Sequence, residues 1–351
     1  MNFYYTFLIL LSFTFFLNYI LIKKNLLLDS KKISIHKSFT QNKNKVSYVG
    51  GLIILVACIF FWKDKSNNFI LFLTLMFMIG IFSDLGLLES PIKRFFLQSV
   101  VILSFLIIFD LKINSIRLEF FDYFLENKIF NLFFVTFCIL IVINGTNFMD
   151  GLNTLVIGYY ILILISLLFI LSNNVIIFSN KDLITVMITS LLVILIFNIF
   201  GKIYLGDNGA YLISFIIAVI LIDIAKNNLN VSPYYVANLL WYPAFENFFS
   251  IIRKILQKKS PMSPDNQHLH QLLFIFLKNF NKFNTNFINS STACLINLFN
   301  IIIFMFATIN YSSTKIQILI ILTSSLFYSI SYFILKKRSV RVSKKNINMS
   351  Y

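Results

Sequence analysis

Three polar side chains recur every third residue in Asn144-Gly145-Thr146-Asn147-Phe148-Met149-Asp150-Gly151-Leu152, where an apolar run comes to its end. At 100° per residue a helix carries such positions within an arc of about 120°, so Asn144, Asn147 and Asp150 are expected on one face. Two amides and a carboxylate on one face at a membrane boundary can hold a polar ligand. A polar helix end meeting water, with Gly151 as its stop, accounts for this piece alone about as well.

Other segments carry the same kind of chemistry. In Tyr204-Leu205-Gly206-Asp207-Asn208-Gly209 a lone carboxylate stands between glycines at the end of an apolar run, and acids at membrane depth are costly enough that they usually line polar cavities. Asp84 ends another run. After it, Ser90 as N-cap and Pro91 at the first helical position start a helix whose first turn holds Lys93 and Arg94. Cations there oppose the helix dipole, which favours an anionic partner. Asp265-Asn266-Gln267-His268-Leu269-His270-Gln271 contains two of the three histidines of the chain. Histidines two apart diverge by about 200° on a helix but face the same way on an extended segment, so His268 and His270 are expected to act together on an extended stretch. In a basic loop, phosphate contact suits them better than a metal pair. His36, Lys43 and Lys45 precede Gly50-Gly51, a close-approach backbone with lysines that suits a phosphate, or equally a solvated basic loop.

The elements that must position these residues are membrane helices. The 351 residues are 58% hydrophobic and 13% charged, with mean hydropathy +0.82, which excludes a soluble domain. Apolar runs near 3–22, 48–62, 69–83, 95–110, 129–146, 152–172, 183–200, 209–225, 234–252, 290–308 and 316–335 predict an all-α polytopic bundle of about eleven spans. Residues 1–335 form one integral-membrane domain, and 336–351 a basic cytoplasmic tail. The first run, followed by Lys23 and Lys24, reads as a span and not a removed signal. With the N-terminus outside, 22 of the 30 Lys and Arg fall on inner segments and eight on outer loops, as the positive-inside rule requires. The net charge of +16 is then a cytoplasmic excess beside anionic lipid and needs no nucleic-acid partner. Cys58, Cys138 and Cys294 have neither zinc nor disulfide spacing and read as core thiols.

This orientation places Asp84, Asp150, Asp207 and the histidine pair on the cytoplasmic side together. Carboxylates gathered among lysines describe a magnesium and diphosphate site, since Mg²⁺ takes one or two carboxylates plus substrate phosphates. The reaction would join something cytosolic to something in the bilayer.

In order and sidedness these motifs resemble the polyprenyl-phosphate N-acetylhexosamine-1-phosphate transferases, glycosyltransferase family 4. The likeness runs from about His36 to Leu273 and rests chiefly on Asn144 to Leu152, Gly206-Asp207-x-Gly and Asp265-x-x-His268-x-His270. It implies a bacterial plasma-membrane enzyme with a cytoplasmic active site, where the phosphate of polyprenyl (undecaprenyl) phosphate attacks a UDP-sugar to give polyprenyl-diphospho-sugar and UMP. It implies Asp207 as the ligand of Mg²⁺, with Mn²⁺ as the alternative, and Asp84, Asp150 and Asn147 as catalytic residues. Substrate contacts would come from Asn144, Asn153, Tyr204, Lys93, Arg94, His268 and His270, and membrane lipid and a second copy of the chain are the other partners expected. The chain departs from the family at Ser83, where an aspartate is usual, and at Gln271, where a third histidine is usual. The approach from Asn198 to Asp207 is one residue shorter. Two other readings remain: a transporter, against which the acids cluster at span ends and no internal repeat is visible, and an inactive relative kept as a scaffold, for which Ser83 and Gln271 speak.

Overall fold

Among the described residues, fourteen helices and two short strands follow one another along the chain. In order they are α1 (Phe3–Lys24), β1 (Ser47–Tyr48), α2 (Gly50–Phe61), α3 (Asn67–Asp84), α4 (Pro91–Phe109), α5 (Glu119–Leu125), α6 (Lys128–Met149), α7 (Leu155–Ser172) and α8 (Lys181–Ile199). Then come β2 (Ile203–Tyr204), α9 (Gly206–Asn227), α10 (Pro233–Leu239), α11 (Trp241–Leu256), α12 (Leu269–Phe280), α13 (Thr285–Ile309) and α14 (Thr314–Asn348). The computed structural model describes residues 3–29, 45–172, 178–261, 267–280 and 283–348. His36, Lys43 and Asp265 lie outside the described residues.

Short polar side chains set the helix starts. Ser66 accepts a hydrogen bond from the Phe69 N–H ahead of α3, Asn127 accepts from Ile129 and Phe130 ahead of α6, and Ser90 with Pro91 opens α4 as expected. Each such cap satisfies backbone donors that a helix leaves unpaired. Among the described residues nine helices are long and apolar enough to cross a membrane: α1, α3, α4, α6, α7, α8, α9, α13 and α14. They coincide with nine of the expected runs. The run near 48–62 yields only the 12 residues of α2, short of the roughly 20 a span needs. The run near 234–252 is divided at Leu240 into α10 and α11. Pro243 is the physical reason: in the first turn of α11 its missing N–H leaves nothing unsatisfied, whereas inside a continuous helix it would break the ladder.

The two ends of the bundle are distinct. At one, Arg117 donates to the backbone carbonyls of Leu229, Val231 and Ser312, tying the loops before α5, after α9 and before α14. At the other, β1 pairs in parallel with β2, Ser47 opposite Ile203 and Tyr48 opposite Tyr204, which brings the entry of α2 beside the entry of α9. Helix α9 is central, with 89% of its apolar stretch buried against 17% for α14. Glycines let α2 and α3 close on it: a Cβ on Gly51 would lie 2.3 Å from the Asn208 amide oxygen, and one on Gly80 2.3 Å from the Asn208 Cα. Cys58 is buried, while Cys294 is exposed on α13 and is no core thiol.

Candidate active site

The N-terminus of α9 gathers the first group of expected residues. Gly206 adopts φ +73°, and a Cβ there would meet the Asp84 carboxylate at 2.8 Å, so glycine is required both for the turn and for the approach. Asp84, at the end of α3, uses that room to cap α9 from outside the helix. Its Oδ1 accepts from the Asp207 N–H at 2.9 Å, and its Oδ2 accepts from the Asn208 N–H at 3.0 Å and the Asn208 amide at 2.5 Å. A carboxylate on unpaired amides at the positive end of a helix is favourable. Asp84 thus positions Asp207.

Asp207 is held from three helices. Asn147 of α6 donates to its Oδ1 at 2.7 Å, Ser83 of α3 donates to its Oδ2 at 2.6 Å, and Arg94 of α4 sits 3.1 Å from the same oxygen. Arg94 also donates to the Ser83 hydroxyl at 2.8 Å. Lys93, its neighbour, is exposed. No group of three or more His, Cys, Asp or Glu arranged for a metal occurs among the described residues. Besides the Asn147 amide nitrogen and the Arg94 guanidinium that hold it, the oxygens at this point are the Asp207 carboxylate and the Ser83 hydroxyl, a small, hard set that fits an ion completing its shell with phosphate and water, as Mg²⁺ does. Asp207 would hold it, with the Ser83 hydroxyl beside it.

The rest of the Asn144 to Leu152 motif divides. Helix α6 ends at Met149, and Asp150 is its C-cap, its N–H still bonded to the Thr146 carbonyl at 3.1 Å while its ψ of 48° turns the chain that follows. Asn144 donates to the Leu140 carbonyl of its own helix, 2.8 Å away. Asp150 instead lines a cleft with Gly151, Asn153, Tyr204, Asp29 and Tyr48. Tyr48 and Tyr204 approach with ring centroids 6.0 Å apart, and the Tyr48 hydroxyl donates to Asp29 at 2.5 Å. The amide nitrogen of Asn153 is buried without a partner among the described residues. Asn198, by contrast, fastens the chain: it accepts from the Thr154 N–H and donates to the Ile203 carbonyl.

The histidines come to the same place from the far end of the chain. His268 precedes α12, and His270 lies in its first turn, so they do not share an extended segment. Their rings are nonetheless nearly parallel, 13° apart with centroids 5.7 Å from each other. His268 lies against Phe148 of α6, and the Nε2 of His270 is where a Cβ on Gly151 would be, 2.8 Å away. Thus Gly151 is a seat for an imidazole as well as a helix stop. Burial pushes the pKa of His270 down to about 3, and neither of its ring nitrogens has a partner among the described residues. Sequence reasoning missed Asn208, which stands next to a lone carboxylate between glycines, and Asp29 and Tyr48, which no spacing singled out.

Residues 66–225 match the model of glycosyl transferase family 4. The chain is 26% identical over 251 residues to an undecaprenyl-phosphate alpha-N-acetylglucosaminyl 1-phosphate transferase of Thermotoga maritima, covering 71% of this chain and 74% of that protein. It is 31% identical over 139 residues to a probable undecaprenyl-phosphate N-acetylglucosaminyl 1-phosphate transferase of Bacillus subtilis, 38% of each chain. It is 24% identical over 249 residues to the Salmonella typhi undecaprenyl-phosphate alpha-N-acetylglucosaminyl 1-phosphate transferase, 66% of each chain.

Proposed function

Since the chain belongs to glycosyl transferase family 4, we propose that it transfers an N-acetylhexosamine 1-phosphate from a UDP-sugar to undecaprenyl phosphate. The products are undecaprenyl-diphospho-sugar and UMP, the first step of an envelope polysaccharide. The observation that carries the reading is the Asp207 carboxylate, fixed by Asn147, Ser83 and Arg94 at the N-terminus of α9, beside the cleft of Asp150 and Tyr204.

The residues divide the work by chemistry. Asp207 would hold Mg²⁺, which when bound would neutralise diphosphate charge. Arg94, already on that carboxylate, supplies a second positive charge at the same point. Asp150, Asn153 and Tyr204 line the cleft that receives the nucleotide-sugar, Tyr204 offering a ring face to the base. His268 and His270 bound the site on the side of α12 and contact the diphosphate. Most of the rate enhancement is positioning and charge neutralisation. The acceptor phosphate approaches from the bilayer, and the site faces the cytoplasm with the N-terminus outside.

Purified protein in detergent, given undecaprenyl phosphate and UDP-N-acetylglucosamine, should release UMP in proportion to lipid product, with chelation of Mg²⁺ stopping both. No UMP from any of a panel of UDP-N-acetylhexosamines would overturn the reading. Reporter fusions after Lys254 and at the C-terminus should both read cytoplasmic.

A further inference from the structure

Glu246 is a carboxylate on α11 with 1% exposure. An acid in such a place is expensive unless it is paired, and its partners indicate its use. Both oxygens are engaged. Oε1 lies 2.7 Å from His268 Nδ1, and Oε2 accepts from the Tyr328 hydroxyl of α14 at 2.6 Å. The backbone N–H of His268 donates to Gln271 Oε1 at 3.1 Å. Arg253, one helical face along, donates to Ser250, to the Tyr332 hydroxyl and to the Gln267 carbonyl, so the residue before His268 is anchored as well.

A carboxylate with a hydroxyl donating to one oxygen has the other left to accept, so the proton between Glu246 and His268 belongs on Nδ1. That assigns the tautomer and leaves Nε2 as the working nitrogen of His268. The ring is held in plane by Phe148 on α6 and by His270 alongside it. Three elements, α11, α14 and α6, therefore agree on one orientation of one imidazole.

We propose that Glu246, oriented by Tyr328, is the positioning residue for His268, fixing its Nδ1–H tautomer and stabilising positive charge on the ring as diphosphate charge develops. The role in turnover rests on the transferase reading, but the tautomer does not. The test is made on the full chain in nanodiscs with ¹⁵N-labelled histidine, where only three histidines need assignment, each by its His→Gln variant. Wild type should show His268 protonated at Nδ1. Glu246→Gln, which keeps the size but adds an amide donor, should shift His268 towards the Nε2–H form and lower kcat by about 10–100-fold, the usual effect of losing a residue that orients a functional imidazole. KM for the UDP-sugar should change by less than about threefold. Tyr328→Phe should lower kcat less, with the tautomer partly mixed. An unaltered His268 spectrum in Glu246→Gln overturns the proposal, as does a folded Glu246→Gln enzyme with unchanged kcat. If wild type shows the expected tautomer but releases no UMP, the transferase reading fails and the assignment of the proton stands.

Discussion

The start of α9 and the start of α12 face the same site, yet they are built differently. At α9 every polar group is answered from a neighbouring helix: Asp207 by Asn147, Ser83 and Arg94, and its backbone N–H by Asp84. At α12 only half is answered, since His268 has Glu246 while both ring nitrogens of His270 are buried without partners among the described residues. The difference follows from charge. A carboxylate near the bilayer must be neutralised at rest, because burying it bare costs several kcal/mol. A neutral imidazole is cheaper to leave waiting. On the proposed reading, one half of the site is preassembled and the other is left for a ligand to complete.

If the α9 half is the preassembled one, damage there should have the largest effect. Asp207→Asn should lower UMP release by at least about 100-fold, or ~2.7 kcal/mol of barrier, with the protein still eluting as a folded species in detergent. Near-normal turnover at limiting Mg²⁺ would show that the carboxylate is not the metal ligand. Asp84→Ala should be nearly as severe for a different reason, since it removes the outside cap of α9. About 1–2 kcal/mol of stability should go with it, read as a lower midpoint of thermal inactivation.

Much of the α9 half is legible in the sequence because its parts are local signals. Gly206-Asp207-Asn208-Gly209 announces a turn, a carboxylate and a close approach, and Ser90-Pro91 places Arg94 in a first turn. What periodicity misses is where a helix stops. Treating Asn144 to Asp150 as one continuous helix holds as far as Met149, with Asp150 as the C-cap whose ψ of 48° turns the chain that follows. The same blindness affects 234–252, an apolar run by composition that Pro243 splits into two helices. The pairing of Asp84 with α9, across 123 residues, and of Glu246 with His268 are tertiary facts. No spacing encodes them.

The α12 half should respond more weakly and through pH. With its pKa pushed down to about 3 by burial, His270 is neutral in the folded protein where the unfolded chain would begin to take up a proton below about 6.5. The unfolded state then binds more protons, so this contribution to stability is fully present above pH ~6.5 and declines as pH falls towards 3. His270→Gln should flatten that part of the stability profile and raise KM for the UDP-sugar by about tenfold, or ~1.4 kcal/mol. An acid-side profile identical to wild type would mean that His270 is already charged or already partnered.

The smallest effect on turnover, and the sharpest test of preassembly, is expected at Ser83. Its hydroxyl lies 2.6 Å from Asp207 Oδ2 and 2.8 Å from Arg94, so Ser83→Asp would set a second carboxylate against the first with one guanidinium between them. Two like charges about 4 Å apart at an effective dielectric of 20 repel by ~4 kcal/mol, and Arg94 offsets part of that. What remains is a site with more negative charge than its resting cation can neutralise, and therefore a stronger attraction for Mg²⁺. The expected outcome is an approximately tenfold lower Mg²⁺ concentration for half-maximal rate, ~1.4 kcal/mol, while kcat at saturating Mg²⁺ stays within about threefold. Thermal stability without Mg²⁺ should fall and be restored by adding it. Arg94→Gln should move the Mg²⁺ dependence in the same direction, because it removes the competing cation instead of adding an anion. If Ser83→Asp leaves the Mg²⁺ dependence unchanged, the ion does not sit at Asp207. If wild type is inactive with every UDP-sugar and Ser83→Asp alone awakens it, the α9 end of this chain is a retired site, held together by Arg94 in place of the metal.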